Sequence, residues 1–228
     1  MTRKLQAVRA AILLAVLGAC AGDIDPQWQL DHDRIIAVRA TPPHLAAAGD
    51  TAQLDLLVGH KGAMTTEQPP DATTVVSPMS LAGAVSGATV TAPSDAQLAA
   101  ARTELKLADG APVPLTIGVL SGEFAAVKTV WLGEPGDNPV LAEVMVGGVP
   151  PGTELVVPAD LDVHLSVTAD DSTEIVNWLT SCGTMHDFDL HAAYLHVLPA
   201  DPQEGELALV LRDATGGVTW QTWPIHAE

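Results

Sequence analysis

The chain has 228 residues, with 28 Asp and Glu against 10 Lys and Arg, a formal charge of −18 at pH 7. A surface this acidic repels nucleic acid and anionic headgroups, which excludes a nucleic-acid binder. Hydrophobic residues make up 47% of the chain, enough for a packed core, and the length suits one large or two small domains.

The first stretch is basic and then apolar. Arg3, Lys4 and Arg9 precede the run Ala10–Gly18, and no acid occurs before Asp23. A basic start, a short apolar run and small residues before a cut describe a secretory signal. The run is too short for a stable spanning helix, which needs about 20 residues. Leu17-Gly18-Ala19-Cys20 resembles a lipobox, the processing site of bacterial lipoproteins. The resemblance implies a signal peptide over 1–19, a signal helix, and a lipidated, palmitate-bearing Cys20 anchored in a membrane. Ala21, in place of an Asp, implies sorting to the outer membrane, facing the periplasm or the cell surface. Cleavage removes three of the ten basic residues and no acid, so the mature body carries seven against 28, a net −21. It also leaves Cys182 as the one free thiol, so no intramolecular disulfide is expected.

Residues 20–33 read as an acidic, Pro-broken tether. Arg34–Ala40 reads as the first strand, ended by Pro42-Pro43. Leu54, Leu56 and Val58 alternate with polar residues and predict the next strand. Residues 61–93 are rich in Gly, Thr, Ala, Ser and Pro and predict a long loop, with a short strand at 74–76. Ser94 with Gln97 is a capping-box pattern, and Leu98, Ala101 and Leu105 share one face, so a helix follows, stopped by Asp109-Gly110.

Strands then return. Leu115, Ile117 and Val119 alternate, and Val127–Leu132 is a denser run expected to be buried on both faces. Val140–Val146 predicts a strand, and Pro150-Pro151-Gly152 marks the expected domain boundary. Further strands are expected at 161–167, 174–179, 194–198, 207–211 and 218–225, with Asp213–Gly217 as a hairpin loop and Trp220 and Trp223 on opposite faces.

Several of these segments resemble one family. Arg34–Pro43 with Ala48-Gly49-Asp50, Ala126–Val130 with Asn138-Pro139, and Val176–Trp178 through Cys182–Thr184 to Leu211–Asp213 and Gly216–Trp220 are similar to uncharacterised bacterial surface lipoproteins with immunoglobulin-like or PKD-like β-sandwich modules. The resemblance and the strand pattern together imply a mainly β protein of two Ig-like β-sandwich domains with one short inserted α-helix. The first domain is expected over 34–149 with a loop and helix insertion at 61–112, and the second over 150–228. The resemblance carries no activity.

Catalytic signatures are absent from the sequence: no G-x-S-x-G, H-E-x-x-H, G-x-G-x-x-G or P-loop occurs, and no catalytic residue is assigned. The expected role is a non-catalytic interaction or structural module with membrane attachment and envelope or extracellular protein partners. The alternative is a metal site. Cys182, His186, Asp189 and His191 lie within ten residues, and Met185 and His196 are close by. Thiolate, imidazole and carboxylate suit zinc or copper, and Cys-x3-His resembles a cupredoxin ligand loop. Asp pairs at 23/25, 31/33, 160/162 and 187/189 could offer oxygens to calcium or form a solvated acidic surface. The five Trp residues could stack on sugars, although mid-strand positions favour the core.

Overall fold

The computed structural model describes residues 26–168 and 173–228. The signal segment, Cys20, Asp23/Asp25 and Asp170-Asp171 therefore lie outside the described residues.

Two pairs of sheets follow one another along the chain. The first pair is built from β1 (Arg34–Thr41), β2 (His44–Leu45), β3 (Thr51–His60), β4 (Ala63–Gln68), β5 (Ala72–Ser77), β6 (Val85–Ser86), β7 (Thr89–Thr91), β8 (Val113–Ser121) and β9 (Phe124–Leu132). A 3-10 turn at Met79–Ala84 and helix α1 at Asp95–Leu105 connect them. The second pair uses β10 (Ala142–Val146), β11 (Leu155–Val157), β12 (Asp162–Thr168), β13 (Ile175–Thr180), β14 (Thr184–His186), β15 (Ala192–His196), β16 (Glu204–Arg212) and β17 (Val218–Ala227).

The two halves repeat one topology. In the first, the sheets run β1-β3-β7-β6 and β2-β9-β8-β5, with β4 added to β3. In the second they run β10-β12-β15-β14 and β11-β17-β16-β13. Writing each half as strands A, A′, B, C, D, E, F and G, both read A-B-E-D facing A′-G-F-C. That is the order of an immunoglobulin-type sandwich. The short A′ strand is parallel to G in both halves, β2 with β9 and β11 with β17. The remaining ladders are antiparallel.

Side-chain alternation fills each sandwich. Val113, Leu115, Ile117 and Val119 of β8 are fully buried while the residues between them are partly exposed. They pack with Leu54 and Leu56 of β3 and with Leu98 and Ala101 of α1. The second core gathers Val163, Leu165 and Val167 of β12, Leu207, Leu209 and Leu211 of β16, Trp178 and Trp223. Trp178 occupies the C strand, where immunoglobulin domains keep a buried Trp. The position is filled without a disulfide among the described residues, since Cys182 is a free thiol buried in this core.

The helix opens as expected: Gln97 Oε1 accepts from the Ser94 N–H at 3.0 Å. It ends earlier than Asp109-Gly110. Lys106 takes the left-handed conformation at φ 58° and its N–H returns to the last turn. The strand expected at 74–76 lies within β5, but the rest of the expected loop over 61–93 holds three more strands and a 3-10 turn, and β5, β6 and β7 supply the C, D and E positions of the first sandwich. Residues 61–112 are thus largely sandwich, not insertion. These strands are short and Thr- and Ala-rich because each buries few side chains, so their alternation is faint.

Two further expectations change. Val127–Leu132 is not buried on both faces: β9 alternates, with Val127 at 63% exposure. The break between the halves also falls earlier than 149/150. Ala142–Val146 pairs with β12, so the chain crosses from one sandwich to the other within 133–141.

Candidate functional site at the junction of the two sandwiches

The sequence-predicted metal residues do not converge. Cys182 Sγ points into the second core and burial pushes its thiol pKa up. His186, Asp189 and His191 are exposed, His186 on β14 and the other two on the following turn. Among the described residues, no three His, Cys, Asp or Glu side chains form a group able to hold a metal ion. His196 instead bonds Asp162 through Nδ1 at 2.7 Å, with Asp160 at 4.0 Å. Asp31 and Asp33 serve the backbone: they accept from the N–H groups of Gly62 and Lys61 in the β3–β4 turn. Trp178, Trp220 and Trp223 are buried and Trp28 and Trp131 are half-buried, so no exposed stacking platform forms from them.

The place where unlike elements meet is the junction. The outer faces of β16 and β17 (Ala208, Val210, Val218 and Trp220) pack on Ala37 of β1 and Leu57 of β3. β16 therefore buries both of its faces, which explains its unbroken apolar run Leu207–Leu211. Trp220 and Trp223 face opposite ways, as their spacing predicts: Trp223 enters the sandwich core and Trp220 enters the junction.

The last part of the expected tether, 20–33, is not a tether: its residues from Trp28 on join this junction. Trp28 and Leu30 straddle Thr180 with two backbone hydrogen bonds, each 2.9 Å, and Leu30 is buried in the junction cluster. The segment 28–33 is therefore docked against the second sandwich before the chain enters β1.

Polar groups lock both flanks. On one, Glu206 is buried and accepts from the N–H and Oγ1 of Thr65 in β4, both at 2.8 Å. Glu67 accepts from Trp220 Nε1 at 2.7 Å and from Arg39 at 3.3 Å. Arg39 also lies 3.9 Å over the Trp220 ring and bonds Asp55 at 2.7 Å. In the crossing segment, Asn138 donates to Ala40 O and accepts from the Val218 N–H, both at 2.9 Å.

The other flank gathers cations. Arg34 Nη2 donates to Gln27 O at 3.1 Å and Gln29 O at 2.7 Å. Arg212 donates to Asn177 Oδ1 and, at 3.0 Å, to Ile36 O. Lys128 Nζ donates to Gly216 O, in the β16–β17 loop. That loop is shaped by Asp213, whose Oδ1 accepts from the N–H groups of Thr215 and Gly217 at 2.8 Å. A Cβ on Gly217 would collide with the Asp213 carboxylate, so the close approach requires glycine there. Lys128 is 4% exposed. Desolvation pulls its pKa down to about 8, aided by the neighbouring Arg212 charge and opposed by Asp213. Burial likewise lowers the pKa of Arg34 and Arg212.

Two adjoining clefts of about 270 and 310 Å³ open along this flank. Arg34, Asn177 and Phe188 line the first, Lys128 and Val218 the second, and Ile36 and Arg212 line both. Sequence reasoning passed over these cations. One signal was present: Lys128 shares the parity of Val130 and Leu132, placing a charge at an inward position of β9.

No protein-family model matches the chain, and no curated protein does. Among solved structures, a nucleoside hydrolase-related hypothetical protein from Saccharophagus degradans is similar at 16% identity and TM-score 0.32, over 40% of this chain and 26% of that one. The N-terminal Ig1-2 module of the Drosophila receptor protein tyrosine phosphatase DLAR is similar at 12% identity and TM-score 0.32, over 86% of this chain and 100% of that one. Fibronectin(III)-like modules of Clostridium thermocellum CbhA give 13% identity and TM-score 0.29, over 84% and 94%. Scores this low carry no argument about role. The immunoglobulin-like reading stands on the strand order of each half.

Proposed function

We propose that this chain is a lipid-anchored envelope protein acting as a non-catalytic interaction or structural module. The observation that carries the module reading is the junction. Two sandwiches of the same strand order are locked side by side by a buried apolar cluster and by hydrogen bonds across both flanks. A fixed body of this kind presents loops and sheet faces in constant relative orientation, which suits recognition of protein partners or a structural role. The anchor reading rests on Leu17-Gly18-Ala19-Cys20. Its geometry is consistent with the docked segment: Gln27 lies seven residues after Cys20, a reach of at most about 25 Å. Attachment at Cys20 would hold the junction close to the membrane. Outer-membrane placement follows the same resemblance, through Ala21.

Mass spectrometry of the mature N-terminus, with fractionation of a Cys20→Ser variant, tests the anchor. A diacylglyceryl- and acyl-modified Cys20, and release of the variant from membranes, are expected. An unmodified residue 20 in a membrane-free protein would remove the anchor. The module reading is tested by site-specific crosslinking in intact cells from exposed positions on each sandwich. Defined adducts with envelope proteins from one face are expected, and adducts scattered evenly over all faces would count against it.

A further inference from the structure

The cation-lined flank of the junction has chemistry that the packing alone does not use. The whole chain holds only 10 Lys and Arg. Three of them line two adjoining clefts, in the order Arg34, Arg212, Lys128. Arg34 Nη2 donates to the carbonyls of Gln27 and Gln29, and Arg212 donates once from each terminal nitrogen, to Asn177 Oδ1 and Ile36 O, so N–H donors remain on both guanidinium groups. Among the described residues, no carboxylate forms a salt bridge with any of the three. Asp213 offsets the charge of Lys128 and also bonds its own loop at Thr215 and Gly217. Arg34 Nε is buried and, among the described residues, has no hydrogen-bond partner.

Buried and half-buried cations lining one furrow, with Asp213 offsetting only Lys128, cost stability unless something further compensates them. A guanidinium fork matches the oxygens of a phosphate group, and a nearby ammonium adds a point charge. The rest of the body is strongly acidic. We propose that this furrow binds a phosphate group, with Arg34 and Arg212 as the forked donors and Lys128 as the closing charge. Two sources of phosphate fit. One is a soluble phosphorylated molecule. The other is a phospholipid headgroup, which the anchor would bring close, since Gln27 itself lines the first cleft. The membrane source rests on the anchor reading; the soluble source does not.

The test uses the full chain with Cys20→Ser, so that binding is not dominated by acyl chains. Inorganic phosphate is titrated against chloride at matched ionic strength while the side-chain Nε–H resonances of Arg34 and Arg212 are followed by NMR. Saturable shifts with phosphate and none with chloride are expected, together with an affinity about tenfold weaker in Arg34→Gln and in Lys128→Met. Arg212→Lys keeps the charge and loses the fork, so it too should weaken phosphate binding, and an unchanged circular dichroism spectrum and melting temperature in each variant show that the loss is not unfolding. Co-sedimentation with phosphatidylglycerol-containing vesicles against phosphatidylcholine vesicles then assigns the source. Binding only to the former, lost in Lys128→Met, supports the lipid headgroup; phosphate shifts without vesicle binding support a soluble ligand. Equal responses to phosphate and chloride, or unchanged affinity in folded variants, would overturn the site. An unmodified Cys20 would remove the anchor yet leave the phosphate titration standing, so the two failures are distinguishable.

Discussion

Lys128 states the cost of this arrangement at one residue. Its amine titrates near 10.5 in an unfolded chain and about 8 in the folded one, chiefly because it is desolvated. Between those pH values the unfolded chain holds a proton that the folded chain does not. Stability contributed by this group therefore rises with pH through that window, and the burden of the buried ammonium is fully present below pH 8. Lys128→Met should then stabilise the protein at pH 7 by about 1–3 kcal/mol in urea unfolding, after the lost bond to Gly216 is offset. The gain should shrink as pH approaches 10.5, and a gain that persists unchanged there would assign the effect to packing. A residue kept against stability fits a binding role for the furrow. Cys182 illustrates the opposite case. It is 1% exposed, and desolvation raises its pKa. Alkylation at pH 8 should therefore be slow in the native protein and complete after denaturation, and rapid native labelling would show that the second core opens.

At the scale of elements, β4 is an addition to the first sandwich that bonds across to the second. It hangs on the edge of β3 by ladder bonds and has little buried side-chain surface of its own. What holds it is Thr65 against Glu206 and Glu67 against Trp220. Glu206→Ala should cost about 2 kcal/mol, the range for hydrogen bonds to a charged acceptor. The Thr65 amide should also exchange faster with solvent, a change that general destabilisation would spread over all of β4 and β16. The same element shows where sequence reading stops. β8, β12 and β17 were legible because each alternates large apolar with polar residues against a wide core. α1 was legible from Ser94 and Gln97. β4, β6 and β7 were not, because they are short, with few large apolar residues, and their positions are set by the ladders built out from β3; β5 was legible only through the short strand expected at 74–76. The furrow was legible only in part. Lys128 at an inward position was a visible anomaly, whereas the meeting of Arg34 with Arg212 depends on contacts across 178 positions of sequence.

For the whole molecule, the junction decides whether the halves behave as two domains or one. Each half has its own core and the same strand order, so each has the ingredients of an independent fold. Against this, Leu30, Leu57, Ala208, Val210 and Trp220 share one buried cluster to which both halves contribute. Exposing that cluster would add apolar surface to either half left folded, at about 25 cal/mol per Å². Thermal unfolding followed by calorimetry should thus show one cooperative transition, with the calorimetric and van't Hoff enthalpies equal. Ala208→Asp is the decisive variant. Ala208 is fully buried in the junction, with its neighbours Leu207 and Leu209 turned into the second core, so a carboxylate there disrupts the junction and spares both cores. The variant should unfold in two separable transitions, each with about half of the total enthalpy. Two transitions already present in the unmodified chain would mean that the junction is a contact without energetic coupling. A single transition in Ala208→Asp, at unchanged temperature, would mean that the halves are coupled elsewhere, through the 133–141 crossing and its Asn138 bonds to Ala40 and Val218.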